Sequence, residues 1–532
     1  MTDWTQHLVI TPILLPLLVS AGMLMFNERR RALRRVFSLF TALALIANAI
    51  ALIHLTGSKG GLALTYSAGN WPVPFGIVLV ADRLTALLLL LTSILGFAAL
   101  IYSVARWDKA GQRFHTLFLL MLMGVNGAFL TGDLFNLFVF FEVMLAASYG
   151  LALHGVGRAR TRAGLHYIAI NVATSLLFLI GVSLLYGVTG TLNMADLAVR
   201  IPAVPASDIM LLKAGAALLG VAFLVKAGMW PLNFWLPATY AAAAPPVAAM
   251  FAILSKVGIY VILRLSSLMF GDDSGRAGHF ADDWLLIGGI ATIIYGTLGV
   301  LSARRLAPFA GYYLIISSGT LLAAIGTANT AVLAGALFYL VSSTLAIAAF
   351  YLLVEPIERG HEEEDELVVE AVFEDELAEA LDEEENEIGV VIPATIAILG
   401  GGFAFCALLL AGLPPLSGFI AKFSIIDGLL RGGQAILPVH WVYIAAIIVS
   451  GLGVLMAATR AGIELIWEPS DRAMPNLRVV EAAPIALLLA ICLGLVIMAG
   501  PVMRFMEQSA AALEQRELYT RAVLHPSGGA GR

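Results

Sequence analysis

Apolar segments of roughly 20 residues recur along almost the whole chain, separated by short polar stretches. They extend from VITPILLPLLVSAGMLMF at 9–26 to APIALLLAICLGLVIMAG at 483–500. A helix needs roughly 20 such residues to cross the hydrocarbon core of a bilayer, and about fourteen segments meet this requirement. The pattern predicts an all-α polytopic membrane protein with about 14 transmembrane helices.

The composition agrees with this prediction and excludes several classes of function. Of the 532 residues, 60% are hydrophobic and only 13% are charged, which lies outside the usual range of soluble domains. Cys406 and Cys492, the only cysteines, lie in apolar segments, so we expect no disulfide framework and no cysteine-ligated cluster. The sequence contains no nucleotide-binding loop, metal-ligand cluster or nucleophile triad. We therefore expect no catalytic residues, no metal, no cofactor and no nucleic acid partner.

Lysine and arginine are concentrated in alternate loops, for example NERRRALRR at 27–35 and GVGRARTRAG at 155–164. The positive-inside rule places these loops on the cytoplasmic side of the membrane, which we take to be a bacterial inner membrane. With fourteen spans, both termini are then predicted to lie on the outer side.

One segment, 355–387, departs from the basic character of the other cytoplasmic loops. It holds 17 of the 37 acidic residues of the chain and one of the 31 basic residues. Dense like charge is typical of a solvated linker between two spans. A docking or cation-attracting role is the alternative interpretation, and both stay open at this point.

Four ionisable residues lie well inside predicted spans, namely Glu142, Lys226, Lys256 and Lys422. A charged side chain at this depth costs at least roughly 2.5 to 3.5 kcal/mol, so such residues usually line a polar cavity. If Glu142 approaches Lys226 and then withdraws, the proton affinity of the lysine changes. We therefore predict a proton relay from Glu142 and Lys226 through Lys256 to Lys422. The alternative for each lysine is an anchor near a helix end, with its ammonium in the interface.

Prolines interrupt two of the spans that carry these lysines. Pro231 and Pro237 follow Lys226, and Pro414 and Pro415 precede Lys422. Proline cannot donate a backbone hydrogen bond and clashes with the preceding turn, so we expect helix breaks at both places. Unwound backbone at membrane depth survives only beside protein or water, which predicts a polar environment for the lysine next to each break.

Two further polar residues have ambiguous roles. His166, near the cytoplasmic end of its predicted helix, could relay protons or be a hydrogen-bonded structural residue. Asp427 could compensate the charge of Lys422 or cap the outer end of the same helix. The segments GLHYIAINVATSLL at 164–177 and GYYLIISSGTLL at 311–322 are similar, which indicates either an internal repeat or a chance likeness of two apolar helices.

Two longer motifs carry a family resemblance. LVKAGMWPLNFWLPATYAAAAPPVAAMFAILSKVGIY at 224–260 and LAGLPPLSGFIAKF at 410–423 closely resemble the antiporter-like subunits shared by Mrp-type multisubunit cation/proton antiporters and respiratory complex I. The resemblance extends from about residue 75 to 460. Within this superfamily, GDLFNLFVFFEVMLAASYGLALHG at 132–155 looks like the D-type subunit of Mrp antiporters.

The resemblance implies an organisation for the chain. It implies fourteen helices that contain two inverted five-helix repeats with broken helices. The expected parts are N-terminal helices at 1–114, a first repeat at 115–268, a second repeat at 284–460 that contains the acidic insert, and a last helix with a tail at 461–532.

The resemblance also implies roles for the four buried ionisable residues. Glu142 and Lys226 would form the ion pair of the first half-channel, Lys256 the central relay and Lys422 the terminal group of the second. One helix departs from the pattern, because relatives often carry His and Lys where this chain has Ser342 and Ile347. The link from Lys256 to Lys422 would then be water held by three hydroxyl residues, Ser342, Ser343 and Thr344, or the second half would be less competent.

The leading interpretation is a proton-translocating subunit of a multisubunit Na⁺ or K⁺/proton antiporter. Its expected partners are membrane subunits of the A, B, C, E, F and G types, protons, Na⁺ or K⁺, and the lipid bilayer. The alternatives are a proton-pumping membrane subunit of a complex I-like NADH:quinone oxidoreductase or of a membrane-bound hydrogenase, and a scaffold that has lost transport. The insertion cost of four ionisable residues argues against the scaffold.

Overall fold

The computed structural model describes residues 4–25, 30–58, 63–155, 157–371, 394–431, 436–464 and 477–525. About half of the acidic insert, residues 372–387, lies outside the described residues. The interpretation of this insert as a linker or a docking element therefore stays a prediction.

The described chain folds into nineteen α-helices and one two-stranded hairpin. The helices are α1 (Trp4–Leu24), α2 (Arg31–Ser58), α3 (Arg83–Ser103), α4 (Phe114–Leu130), α5 (Leu134–Ala152), α6 (Arg158–Thr189), α7 (Met194–Arg200), α8 (Ile209–Ala227), α9 (Leu236–Ala242), α10 (Pro245–Met269), α11 (Asp282–Ser302), α12 (Leu306–Gly326), α13 (Thr330–Ala371), α14 (Ala394–Ala411), α15 (Ser417–Arg431), α16 (Pro438–Gly462), α17 (Val479–Ile497), α18 (Ala499–Glu514) and α19 (Arg516–Leu524). The strands β1 (Leu64–Ser67) and β2 (Val78–Ala81) pair antiparallel, with Leu64 opposite Ala81.

The helices confirm the predicted class of a polytopic helical membrane protein. Twelve helices of the described chain are long and apolar enough to cross a membrane, and 114–130 and 395–411 are shorter apolar helices. The count of fourteen spans, the two inverted repeats and the boundaries between parts stay predictions.

Three helices form the centre of the molecule. The apolar stretches of α10 and α13 are completely buried, and that of α12 is 94% buried, whereas α1, α6 and α17 expose most of theirs. Any polar side chain on the facing surfaces of α10, α12 and α13 is therefore shielded from lipid. Such residues need partners from the neighbouring helices.

Two helices stop inside the span and resume after a break. The first break follows α8, where Gly228 adopts a left-handed φ of 76° and Pro231 lies before α9 begins. The second follows α14, where Gly412 has a φ of 78° and Pro414 and Pro415 precede α15. Glycine takes this conformation without the strain of a side chain, so each helix ends where the next residue is glycine.

Backbone groups at the first break have partners in neighbouring helices. The N–H of Trp230 donates to the hydroxyl of Thr292 on α11 at 2.9 Å. Arg160 on α6 donates to the carbonyl of Ala242, the last residue of α9, at 2.8 Å. The first bond satisfies backbone freed by the break after α8 and the second satisfies the end of α9, which is the condition for irregular backbone at membrane depth.

Candidate functional site

Lys226 lies in the last turn of α8, and only 7% of the residue is exposed. Its ammonium donates a hydrogen bond to Oδ1 of Asn171 on α6. The same ammonium lies 5.5 Å from the ring centroid of Phe141 on α5, within range of a cation–π interaction. A neutral amide and an aromatic face thus surround the charged group.

Glu142 follows Phe141 on α5 and is half-buried. Its Oε1 accepts a hydrogen bond from the hydroxyl of Ser175 on α6. Asn171 and Ser175 are four residues apart on α6 and therefore share one face of the helix. This face offers one polar partner to the lysine and another to the carboxylate.

Glu142 and Lys226 line the same small cavity, together with Thr174, Ser175 and apolar residues of α5, α6 and α8. In this conformation of the described chain, no ion pair within 4.0 Å joins the two side chains. The ion pair that the resemblance implies stays a prediction for another state of the site. In the present state, Asn171 and Ser175 hold the two groups separately.

Lys256 lies in the middle of α10 and is completely buried. Its ammonium donates to the hydroxyl of Ser317 on α12 at 2.8 Å, and this hydroxyl is 3.0 Å from that of Ser343 on α13. The lysine is thus the first member of a buried hydrogen-bonded row across the three central helices.

Lys422 lies on α15 beside the second break, with 7% of the residue exposed. Its ammonium donates to the carbonyl of Ala411 at 2.8 Å and lies 3.5 Å from that of Leu410. Both carbonyls belong to the last turn of α14, where the break removes their helical partners. The carbonyls that the double proline frees in one helix segment therefore bind the lysine of the next.

Two glycines allow the chain to pack this closely around Lys422. A Cβ atom at Gly412 would lie 2.7 Å from Cδ of Lys422. A Cβ at Gly451 on α16 would lie 2.6 Å from the carbonyl oxygen of Ala411 and 3.2 Å from the lysine Nζ. Real Cβ atoms do not approach other atoms to below 3.0 Å, so any larger residue at either position would displace its neighbours.

The three hydroxyl residues predicted between Lys256 and Lys422 have different partners. Ser343 bonds to Ser317, and Ser342 lies 2.8 Å from the hydroxyl of Ser417, the first residue of α15. Thr344 donates to the carbonyl of Leu340 on its own helix. Ser342 and Ser343 thus connect α13 to both lysine-bearing regions, whereas Thr344 has a local bond.

His166 and Asp427 lie apart from this buried row. His166 is exposed on α6, and its ring centroid is 5.7 Å from that of Phe234. Asp427 forms an ion pair with Arg431 one turn further along α15, at 2.9 Å. These contacts involve no buried lysine, and both interpretations of Asp427 stay predictions.

Sequence reasoning did not single out several residues that contact the site. Asn171 and Ser175 bind the two charged groups, and Ser417 joins the second break to α13. The available signal was their polarity at helical spacing inside apolar spans. A further ion pair was also missed, in which the buried Arg264 on α10 contacts the partly buried Asp82 at 2.6 Å.

No group of three or more His, Cys, Asp or Glu side chains suited to a metal ion occurs among the described residues. The polar groups around the lysines are hydroxyls, an amide and carbonyls. This set can bind and transfer protons and order water, and it suits neither a zinc ion nor an iron–sulfur cluster.

Comparison with known proteins shows which molecules this chain is similar to. Residues 131–449 match the family described as NADH:quinone oxidoreductase/Mrp antiporter, transmembrane. The D-type subunit of a probable K(+)/H(+) antiporter from Rhizobium meliloti (strain 1021) is 54% identical over 534 residues, covering 98% of each chain. The D-type subunit of the Na(+)/H(+) antiporter from Bacillus subtilis (strain 168) is 35% identical over 98% of this chain and 99% of the relative.

A solved structure is similar over nearly the same length. A chain of the Mrp complex from Dietzia sp. DQ12-45-1b superposes with a TM-score of 0.82 and 27% identity, over 98% of this chain and 100% of that one. The family match at 131–449 spans both helix breaks and the positions of all four buried ionisable residues.

Proposed function

The chain belongs to the NADH:quinone oxidoreductase/Mrp antiporter family of membrane subunits, and from this membership we propose that it is the D-type, proton-translocating subunit of a multisubunit cation/proton antiporter. Two relatives bear the names of K⁺/H⁺ and Na⁺/H⁺ antiporter subunits, so the exchanged cation is K⁺ or Na⁺. Its partners are the membrane subunits of the A, B, C, E, F and G types. The chain is a secondary transporter subunit, not an enzyme, in a bacterial inner membrane with both termini on the outer side.

The observation that carries this proposal is the set of three lysines buried at membrane depth, Lys226, Lys256 and Lys422, each at most 7% exposed. Each ammonium has a neutral hydrogen-bond partner, namely an amide, a hydroxyl or a backbone carbonyl. Such residues cost free energy on insertion, and apolar side chains would pack there without this cost. Their presence is explained if they bind and release protons during transport.

The first step of the relay concerns Glu142 and Lys226. We propose that Glu142 leaves Ser175 and approaches Lys226 across their shared cavity, which strengthens the hold of the lysine on its proton. When Glu142 withdraws, Lys226 releases the proton towards α10. The two helices are close at this point, because a Cβ at Gly258 would lie 3.1 Å from Cβ of Lys226.

The second step runs from Lys256 to Lys422 through hydroxyl groups. Lys256 passes its proton to the pair of Ser317 and Ser343, and the pair of Ser342 and Ser417 carries it to the second break. A hydroxyl both donates and accepts, so it can take a proton on one side and release another on the other. These hydroxyl groups would provide the link in a chain that has Ser342 and Ile347 where relatives often carry His and Lys.

The role of Lys226 in transport can be tested against another lysine of the same helix, α8. In everted membrane vesicles that contain the complete complex, we expect Lys226→Ala to abolish the pH change that follows addition of Na⁺ or K⁺. Lys213→Ala is the matched control, because Lys213 lies near the other end of α8, where its Nζ is 5.8 Å from the ring centroid of Phe280. The control should transport at the wild-type rate.

Assembly has to be measured in the same membranes, by native gel electrophoresis of the solubilised complex. Loss of transport in an assembled Lys226→Ala complex supports the relay. Transport at the control rate by an assembled Lys226→Ala complex would show that the lysine takes no part.

A further inference from the structure

A row of residues at four-residue spacing follows one face of α13. It consists of Ser343, Ile347, Tyr351 and Glu355, which lie above one another because i and i+4 positions share a helix face. The first three residues are at most 4% exposed. Ile347 is the only apolar member of the row. It separates Ser343, here called the upper part, from Tyr351 and Glu355, here called the lower part.

The lower part of the row opens into a cleft on the side of the basic loops. Tyr351 and Glu355 line this cleft together with Arg106, Arg160 and Arg359. Its volume is about 960 Å³, including the part that is open to solvent. Water therefore has access to the part of α13 that carries these residues.

Glu355 is fixed in the wall of the cleft by several donors. It accepts from Nε1 of Trp107 at 2.7 Å and from the hydroxyl of Tyr102 at 3.1 Å. It also pairs with Arg106 at 3.0 Å and Arg359 at 2.9 Å. These contacts make Glu355 an anchor of the cleft and leave Tyr351 as the next polar group inward.

Tyr351 marks the inner end of the cleft. Its side chain is buried, and its hydroxyl has no hydrogen-bond partner among the described residues although it belongs to a cleft wall. Among the residues of the row, Tyr351 is therefore the one that lies furthest inward in the wall of the cleft.

The upper part of the row belongs to the lysine network. The hydroxyl of Ser343 bonds to Ser317, which in turn accepts from Lys256. Along the helix axis, Ser343 and Tyr351 are separated by two turns, about 12 Å, and Ile347 occupies the middle of this interval. The branched side chain of Ile347 points back towards Ser343, as side chains of α-helices do.

We propose that Ile347 is an apolar barrier that separates the water-accessible cleft at Tyr351 from the proton carriers Ser343, Ser317 and Lys256. The inference rests on the proposed relay, since the barrier matters only if Lys256 carries protons. Apolar constrictions exclude water and thereby interrupt proton transfer. With the barrier in place, protons reach Lys256 through Lys226, and transport stays coupled to the movement of Glu142.

The test compares two substitutions of Ile347 whose new side chains have nearly the same shape. Ile347→Thr introduces a hydroxyl where Ile347→Val keeps a methyl group, so the volume removed from the site is nearly equal in the two variants. The purified complex is reconstituted in liposomes in buffers that contain no Na⁺ or K⁺, so that antiport cannot occur. The decay of an imposed pH gradient is then followed. We expect the gradient to decay faster by roughly tenfold with Ile347→Thr than with Ile347→Val, which corresponds to about 1.4 kcal/mol of barrier.

Adding Lys256→Ala to Ile347→Thr should return the decay to the Ile347→Val rate. Equal decay in the Thr and Val variants would overturn the proposal, and so would a fast decay that persists without Lys256. If Ile347→Thr fails to assemble, Ile347→Ser against Ile347→Ala asks the same question. The Ile347 experiment measures proton leak in the absence of Na⁺ and K⁺, whereas the Lys226→Ala experiment measures antiport. A result that contradicts the barrier can therefore be distinguished from a result that contradicts the relay.

Discussion

At the scale of single residues, the buried lysines differ from ordinary buried charges in what surrounds them. Asn171, Ser317 and the carbonyl of Ala411 are all neutral, and no carboxylate contacts Lys226, Lys256 or Lys422 within ion-pair distance in the described chain. A fixed ion pair would hold a proton on the lysine permanently. Neutral partners accept hydrogen bonds without this effect, which suits the proposed release of the proton by these lysines.

The positions of these lysines could be predicted from the sequence, whereas their partners could not. A charge inside an apolar span is conspicuous because it is costly at that depth. Asn171 and Ser317 are ordinary polar residues of membrane helices and lie 55 and 61 positions away from the lysines they bind. Only the packing of the helices brings such residues together.

Gly451 offers a test of the Lys422 site that leaves the lysine unchanged. We expect Gly451→Ala to lower antiport strongly, because the new Cβ would lie 2.6 Å from the Ala411 carbonyl that binds the ammonium. Overpacking of this kind costs typically about 1–3 kcal/mol. Cation-induced pH changes in vesicles and the melting temperature of the purified complex are the measurements.

Gly401→Ala on α14 is the matched control, since no atom lies within 4 Å of a Cβ at that position. It should keep wild-type transport and stability. Wild-type transport by Gly451→Ala would show that the Ala411 carbonyl does not hold Lys422 in its working position.

At the scale of elements, the two helix breaks show how far local sequence determines structure. Proline in an apolar span predicts an interruption, and the structure ends α8 before Gly228 and α14 before Gly412. The partners that stabilise the breaks, such as Thr292 for the N–H of Trp230, come from other helices. The sequence therefore indicates that a break occurs but not what makes it stable in the membrane.

The buried pair of Arg264 and Asp82 joins α10 to the start of α3. We expect Arg264→Met to lower the stability of the complex by about 3 kcal/mol, because Asp82, whose side chain is only 16% exposed, would lose its charged partner and keep the N–H of Thr85. Thermal unfolding in detergent is the measurement. Adding Asp82→Asn should recover most of the loss, since no uncompensated charge then remains.

Arg83→Met serves as the control for this pair. Arg83 is adjacent to Asp82 but donates to Gln508 in an exposed hydrogen bond. Its removal should cost less than about 1 kcal/mol. Equal losses of stability for Arg83→Met and Arg264→Met would show that the pair of Arg264 and Asp82 contributes no more to stability than the exposed contact of Arg83.

The stability of the connection between α10 and α11 is expected to depend on pH. His279 bonds to Asp282 at 2.6 Å and to Asp272 at 2.7 Å, with Asp273 and Glu514 lining the same pocket. The bond to Asp282 raises the pKa of His279 above its usual value, burial opposes the shift, and the bond to Asp272 adds to it. A raised pKa stabilises the connection below the unfolded pKa of about 6.5, and this stabilisation is lost as pH rises through the folded value.

Hydrogen-exchange protection factors of residues 270–281 should therefore be higher at about pH 6 than at about pH 9. The connection 303–305 between α11 and α12, which contains no histidine, is the internal reference. His279→Gln should remove the pH difference. A pH difference that survives this substitution would mean that another group fixes the connection.

At the scale of the whole molecule, the class of fold followed from the apolar pattern, because a bilayer allows few alternatives to helices. The apolar pattern did not predict that α10, α12 and α13, which are almost completely buried, occupy the centre of the molecule. Periodicity cannot distinguish a helix that faces lipid from one that faces other helices, since both surroundings are apolar. The inverted repeats came from a resemblance and stay predictions.

The family includes subunits of both cation antiporters and redox-driven NADH:quinone oxidoreductases. The buried lysines would serve either machine, because both move protons through the membrane. The difference lies in the energy source and the partner chains. An antiporter is driven by the gradients of the ions it exchanges, whereas a redox pump requires an electron donor and an acceptor.

The most direct measurement is made on the complex purified from its native membrane and reconstituted in liposomes with no electron donor or quinone. A Na⁺ or K⁺ gradient is imposed, and the internal pH is followed with an entrapped dye. We expect a pH change driven by the cation gradient, which Lys256→Ala abolishes in an equally assembled complex. A complex that moves protons only after electron donor and quinone are added, and that co-purifies with iron–sulfur chains, would contradict the antiporter function.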